Sequence, residues 1–153
     1  MNIGFEGLFC MPRVVLKPLE TYPFRIDLPV RITDINYGGH LGNDRMLSLI
    51  HEARFAFLVS HGFSEMDCGG VSLTMTDVVI NYLGQAFAGD VLRFEVSCGE
   101  PFRCGFRFYY RVTRPKDSKV IAMAETGMAC LDYEKGTLLN LPDSVKKIMA
   151  EKS

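Results

Sequence analysis

Asp34-Ile-Asn-Tyr-Gly-Gly-His-Leu-Gly-Asn43, continuing directly into Asp44-Arg-Met-Leu-Ser-Leu-Ile-His-Glu-Ala-Arg54, is the stretch that organises this chain. Its first half reads as a loop, because Gly38, Gly39 and Gly42 allow backbone angles that other residues resist. Asn43 or Asp44 can cap the element that follows. The spacing predicts a helix over Asp44–Ser60, stopped before Gly62. Met46, Leu47, Leu49, Ile50, Ala53, Phe55, Ala56, Phe57, Leu58 and Val59 make that helix apolar on nearly every side, the pattern of a helix buried in a core. Arg45, Ser48 and Glu52 fall on one narrow stripe, since positions three and four apart share a face.

Upstream, Phe24, Ile26, Leu28, Val30 and Ile32 alternate with polar residues and Pro29, which predicts a strand with one apolar face. Pro29 cannot donate to a ladder, so an edge position or a bulge is expected. Residues 1–22 are punctuated by Pro12 and Pro18 and read as an extended lead-in, with one short strand at Arg13–Leu16. Downstream, four strands are expected at Val71–Leu83, Val91–Cys98, Arg103–Arg114 and Lys119–Tyr133. A turn at Gly99–Phe102 would bring Cys98 opposite Cys104, although two free thiols are the expectation. Pro142 suits the first turn of a short helix over residues 142–150. One apolar helix against an antiparallel sheet of about five strands is an α+β layer architecture. A single helix covers one sheet face, so the other face or an open edge is expected to meet a second copy of the chain.

Composition narrows the function classes. With 153 residues the chain reads as one domain, 1–153, large enough for a core without staples. A net charge of -1 gives no electrostatic case for nucleic acid. No apolar run approaches the roughly 20 residues that span a bilayer, and residues 1–11 lack the basic start of a signal peptide. Five scattered cysteines, Cys10, Cys68, Cys98, Cys104 and Cys130, form no zinc-ligand spacing and fit reduced cytoplasmic thiols. His51, His61, Asp67 and Asp77 have no ligand-like spacing either, so no metal is expected.

The run Arg31-Ile-Thr-Asp34-Ile-Asn36-Tyr-Gly-Gly39-His40-Leu-Gly-Asn43, with Glu52-Ala-Arg54 after it, resembles the hot-dog-fold acyl-CoA thioesterases of the 4-hydroxybenzoyl-CoA thioesterase family. That family often carries an Asp-x-Asp-x-x-Gly-His-Val-Asn-Asn loop and then a helix ending in Glu-x-Ala-Arg or Glu-Ala-Arg. Tyr82 with Gly89-Asp90, the strand ending at Asp132, and Leu141-Pro142 agree with the resemblance, which covers about Phe24 to Met149. It implies a hot-dog fold, one long helix wrapped by the sheet, and hydrolysis of an acyl-CoA at a subunit interface of a homodimer or homotetramer. Coenzyme A enters as part of the substrate, and no separate cofactor is implied. An acyl-carrier-protein thioesterase or an enoyl-CoA hydratase on the same fold is the alternative, as is a non-catalytic acyl-CoA binder.

One departure bears on mechanism. Asn36 stands where many members place the catalytic aspartate, and an amide can neither attack the thioester nor deprotonate water. The resemblance therefore leaves Asn36 and His40 as polar groups of the site and Glu52 as the candidate carboxylate, acting across the interface. Glu52 reads also as an ion-pair partner of Arg54, Arg45 or the partner chain, and His40 as a general base, an oxyanion donor or a loop staple. Asp34 is expected to hold the loop through backbone amides. Amides around Gly39, Leu41 and Asn43 are candidates for an oxyanion site at the helix start. Arg103, Arg107 and Arg111 share a strand face and are candidates for coenzyme A phosphates, or form a solvated face. Phe55, Phe57, Met75, Phe106 and Phe108 would line an acyl pocket or fill the core.

Overall fold

The computed structural model describes residues 14–150. Its elements are β1 (Phe24–Pro29), a 3-10 turn (Ile32–Asp34), α1 (Asn43–Ser60), β2 (Ser72–Tyr82), β3 (Val91–Phe102), β4 (Gly105–Arg114), β5 (Lys119–Asp132), β6 (Thr137–Leu138) and α2 (Asp143–Ala150). The main strands pair antiparallel in the order β1-β3-β4-β5-β2, and short β6 adds to the end of β5. This is the expected α+β arrangement of one long helix and an antiparallel sheet. Pro29 lies on the edge strand β1, where its missing N–H costs no ladder bond.

Alternation in β4 decides where the core sits. Phe106, Phe108, Tyr110 and Val112 are buried under α1, while Arg107, Tyr109, Arg111 and Thr113 face outward. From α1, Met46, Leu49, Ile50, Ala53, Phe57 and Leu58 meet them. Phe57 stands edge-on between Phe24 and Phe108, with ring centroids 5.6 and 5.4 Å away. Complete burial of an aromatic ring of this size contributes about 1.5–3 kcal/mol. Phe57, Phe106 and Phe108 are thus core, and Phe55 and Met75 are exposed on the surface of the single chain.

Several sequence expectations are corrected. The helix is apolar all round but buried on one side only, leaving Phe55 and Val59 exposed. Ile32 is also exposed, because β1 ends at Pro29 and the 3-10 turn rotates it outward. The β3–β4 hairpin turns at Arg103–Cys104, so Cys98 pairs with Phe108 and not with Cys104. A register shift between Gly99 and Phe102, with Glu100 at φ 49°, carries β3 past the expected turn. Cys68, Cys98, Cys104 and Cys130 are free thiols, and Cys10 lies outside the described residues. Burial pushes the Cys68 and Cys98 thiols up to about 12, leaving them unreactive.

No strand forms at Val14–Leu16, and Arg13 lies outside the described residues. The lead-in is instead fastened to the outer sheet face. The Leu16 N–H donates to Asn81 Oδ1, the Asn81 amide donates to the Val14 carbonyl, and Tyr22 lies under the Arg111 guanidinium. Among the described residues no helix is long and apolar enough to cross a membrane.

Candidate active site

The loop before α1 is closed by its own backbone. The Asn36 N–H donates to the His40 carbonyl at 2.9 Å, and the Gly39 N–H donates to the Asn36 carbonyl at 3.0 Å. The Gly38 N–H donates to Asn36 Oδ1 at 2.9 Å, an Asx turn. Gly39 takes φ 80°, a conformation that a side chain would strain. Below the loop, the Leu41 N–H donates to the Ala86 carbonyl and the Gly42 N–H to the Asp34 carbonyl. Asp34 Oδ2 accepts the Arg31 N–H at 2.8 Å, so Asp34 holds the loop as its place in a turn suggests.

These bonds orient the two polar side chains. Asn36 Oδ1 is engaged by Gly38, which leaves the Nδ2 hydrogens to donate elsewhere. His40 Nδ1 lies 3.2 Å from the Leu41 carbonyl. A carbonyl only accepts, so this bond puts the proton on Nδ1 and leaves Nε2 with a lone pair. A single point above Gly38, where its Cβ would sit, is 3.1 Å from Asn36 Oδ1 and 3.2 Å from His40 Nε2. Gly38 therefore opens the space over which both side chains face.

Asn36, His40 and Asn43 line one cleft of about 690 Å3, walled by the start of α1, by Tyr82–Phe87 after β2, and by Lys119 and Ile121 of β5. Gly42 is the N-cap of α1 and makes no side-chain cap bond, so neither Asn43 nor Asp44 caps the helix as expected. Among the described residues the first-turn amides of Asn43 and Arg45 find no acceptor, the usual state of a helix start. The Tyr82 hydroxyl donates to the Asn43 carbonyl at 2.8 Å and fixes this first turn. Burial, followed by the nearby Asp44 charge, raises the Tyr82 phenol above its ordinary range and keeps it a donor. A second cleft of about 530 Å3, between Met66–Ser72 and Leu131–Glu134, holds none of these side chains.

Other candidates fall outside the cleft. Glu52 lies nine residues after Asn43 in α1, about 14 Å along the axis at 1.5 Å per residue. It is exposed on the outer stripe, so it does not reach the cleft of its own chain. Nor does it pair with Arg54, whose Nε donates to Glu65 Oε1 at 2.6 Å. The Gly39 amide is engaged by the Asn36 carbonyl and the Leu41 amide by the Ala86 carbonyl, which removes them as oxyanion donors and leaves that of Asn43.

The three arginines are committed as well. Arg107 pairs with Asp77 and Glu125, Arg111 with Glu95, and Arg103 bonds Asn140. They stand away from the cleft, and the cation that enters it exposed is Lys119, whose Cε lies over Gly84. Nothing in the sequence marks Lys119, because a lysine after a turn carries no pattern. Among the described residues no cluster of three His, Cys, Asp or Glu side chains could hold a metal ion.

The fold and this site define a hot-dog thioesterase-like protein. The sequence profile of the thioesterase-like superfamily matches residues 30–149, and the chain belongs to that superfamily. Solved structures agree on the fold. A 1,4-dihydroxy-2-naphthoyl-CoA thioesterase from Synechocystis superposes with a TM-score of 0.77 at 20% identity, covering 84% of this chain and 96% of that one. A DHNA-CoA thioesterase from Staphylococcus aureus gives 0.74 at 16% identity, with 82% and 90% covered. A thioesterase from Thermus thermophilus, solved with coenzyme A and Zn, gives 0.70 at 20% identity, with 84% and 98% covered. No curated protein sequence gives a significant match.

Proposed function

We propose that this protein hydrolyses an acyl-CoA thioester to the free acid and coenzyme A, in a cleft completed by a second copy of the chain. The observation that carries this reading is the meeting of Asn36, His40 and the first turn of α1 in one cleft. The Asn43 amide and Asn36 Nδ2 are donors for the thioester oxygen, whose charge grows as the carbon becomes tetrahedral. His40 Nε2 is an acceptor for the attacking water. Lys119 supplies a positive charge for a coenzyme A phosphate at the mouth. The Thermus thermophilus neighbour, solved with coenzyme A, supports the ligand class.

A second copy has an obvious place to add. Among the described residues β2 pairs with β5 on one side only, so an eleven-residue strand presents an open edge. Such an edge carries unpaired backbone groups that a neighbouring strand can satisfy. Met75, Val78 and Tyr82 are exposed along it, and Tyr82–Gly84 already wall the cleft. The four free thiols among the described residues suit a reducing cytoplasm.

A panel of short-chain and aromatic acyl-CoAs, assayed for thiol release, tests the activity; no turnover above background on any of them refutes it. His40→Ala is expected to lower kcat about 100-fold, because Nε2 is lost while the Asn43 amide and Lys119 stay. Asn36 itself favours a second reading, a binder without turnover. Asn36→Asp separates the two. A hydrolase should lose about 100-fold in kcat, since a carboxylate puts an acceptor and a negative charge where the oxyanion donor stood. A binder should acquire turnover that the wild type lacks.

A further inference from the structure

We propose that Asp44 is the carboxylate that takes the proton from the attacking water. The inference rests on the thioesterase reading and supplies the base that Asn36 cannot be. Among the described residues lining the cleft, Asp44 is the one carboxylate. Its side chain turns back over the loop, for a Cβ on Gly42 would lie 2.6 Å from Asp44 Oδ1. Gly42 has φ -66°, a conformation open to any residue, so backbone geometry does not demand glycine there. What the missing side chain provides is room for this carboxylate beside the loop that carries His40.

The carboxylate is also uncommitted. Gly42 is the N-cap, so Asp44 does not serve the helix as its cap. Its nearest cation, Arg45 Nε, is 3.8 Å away, and the two side chains, Arg45 and Asp44, are 51% and 75% exposed. An exposed pair at that distance binds weakly. Asn43 Oδ1 accepts the Asp44 N–H, and the Tyr82 hydroxyl holds the Asn43 carbonyl. The backbone that presents the carboxylate is thereby fixed from both sides. A helix-dipole partner in the first turn would require only proximity to the amides. It would require neither a place in the cleft nor the space above Gly42.

In the step, the water oxygen bonds to the thioester carbon while one water proton moves to Asp44, and His40 Nε2 holds the remaining hydrogen. The tetrahedral oxyanion, bound by the Asn43 amide and Asn36 Nδ2, collapses with cleavage of the C–S bond. The departing thiolate takes the proton from Asp44, which returns the carboxylate.

The test uses the full-length protein and the best substrate of the acyl-CoA panel. Asp44→Asn is expected to lower kcat about 1000-fold with KM within about threefold and an unchanged melting temperature, and Asp44→Glu to recover part of the rate. Single turnover in 18O-labelled water, with enzyme in excess, should place the label in the free acid at once. Asp44→Asn within tenfold of the wild type overturns the assignment and leaves the thioesterase reading intact. So does loss of turnover in Glu52→Gln with Asp44→Asn unaffected. Unlabelled acid in the first turnover would mean that a carboxylate attacks directly and overturns the base role. A wild type silent on the whole panel overturns both readings.

Discussion

Replacing Glu65 with alanine is expected to lower the stability of the fold by about 3–5 kcal/mol, the cost of leaving a buried charge without its partner. Arg54 sits on the buried side of α1 and is 5% exposed. Its Nε donates to Glu65 Oε1 at 2.6 Å, and His51 Nε2 meets the other carboxylate oxygen at 2.8 Å. Burial pushes the Glu65 carboxyl up, but the Arg54 and His51 hydrogen bonds outweigh it and hold the group below its ordinary range. Among the described residues no other carboxylate pairs with Arg54. Its Nη1 is buried with no hydrogen-bond partner. Tyr110 is close, but burial pushes its hydroxyl up to about 12, so it stays neutral. Urea unfolding at pH 7 should show a lower midpoint with the slope unchanged. A loss under about 1 kcal/mol would mean that water reaches Arg54 once Glu65 is gone. Replacing both partners, Arg54→Met with Glu65→Leu, should restore most of the loss, because apolar residues need no compensation.

That network marks the boundary of what is legible in the sequence. The helix, the main strands and the edge place of Pro29 follow from local pattern, because periodicity and a missing N–H are properties of a few neighbouring residues. Glu65 is different. Its carboxylate reaches Arg54 across the turn that ends α1, and no spacing of three or four residues announces that contact. The Glu-Ala-Arg run draws attention to Glu52, which is exposed on the outer stripe. The hairpin register fails for a similar reason. A non-glycine residue at positive φ, Glu100, lets β3 continue beyond Gly99 and moves the turn to Arg103–Cys104.

The site is half legible. Asn36 and His40 stand out through the resemblance of their loop to the thioesterase family and because their residue types suit polar work, and both line the cleft. Asp44 does not stand out, since an acidic residue at a helix start reads first as a cap or a dipole partner. Only the cleft and the space above Gly42 distinguish it. The arginine row is visible as a row, but its cross-strand carboxylates, Glu95, Glu125 and Asp77, come from three different strands. Pairing of that kind depends on strand order, which composition does not contain.

Asp90→Asn should cost about 3 kcal/mol at neutral pH and flatten the acid side of the stability curve. Asp90 follows Gly89, whose φ of 85° makes the turn into β3. Its Oδ2 accepts the Phe87 N–H and Arg114 Nη1, each at 3.0 Å, and Oδ1 accepts the Lys116 ammonium. Arg114 is itself buried and also holds the Gln85 carbonyl, so this carboxylate fastens the Gln85–Gly89 wall of the cleft to β4. Burial pushes the Asp90 carboxyl up, but the bonds from Lys116, Phe87 and Arg114 more than offset it and hold it at about 2. A folded-state value below the unfolded value of about 3.9 means stability that is full above that value and lost as pH falls toward 2. Linkage over that interval amounts to about 2.5 kcal/mol. Urea unfolding from pH 6 down to about pH 2 should therefore show the wild type and the Asp90→Asn variant converging as acid is added, the wild type losing its advantage. Parallel curves across that range would show that the carboxylate's charge is not what stabilises the wall. The same variant should loosen the Gln85–Gly89 segment, so acyl-CoA turnover should fall through KM before kcat, in contrast to the kcat loss expected at Asp44.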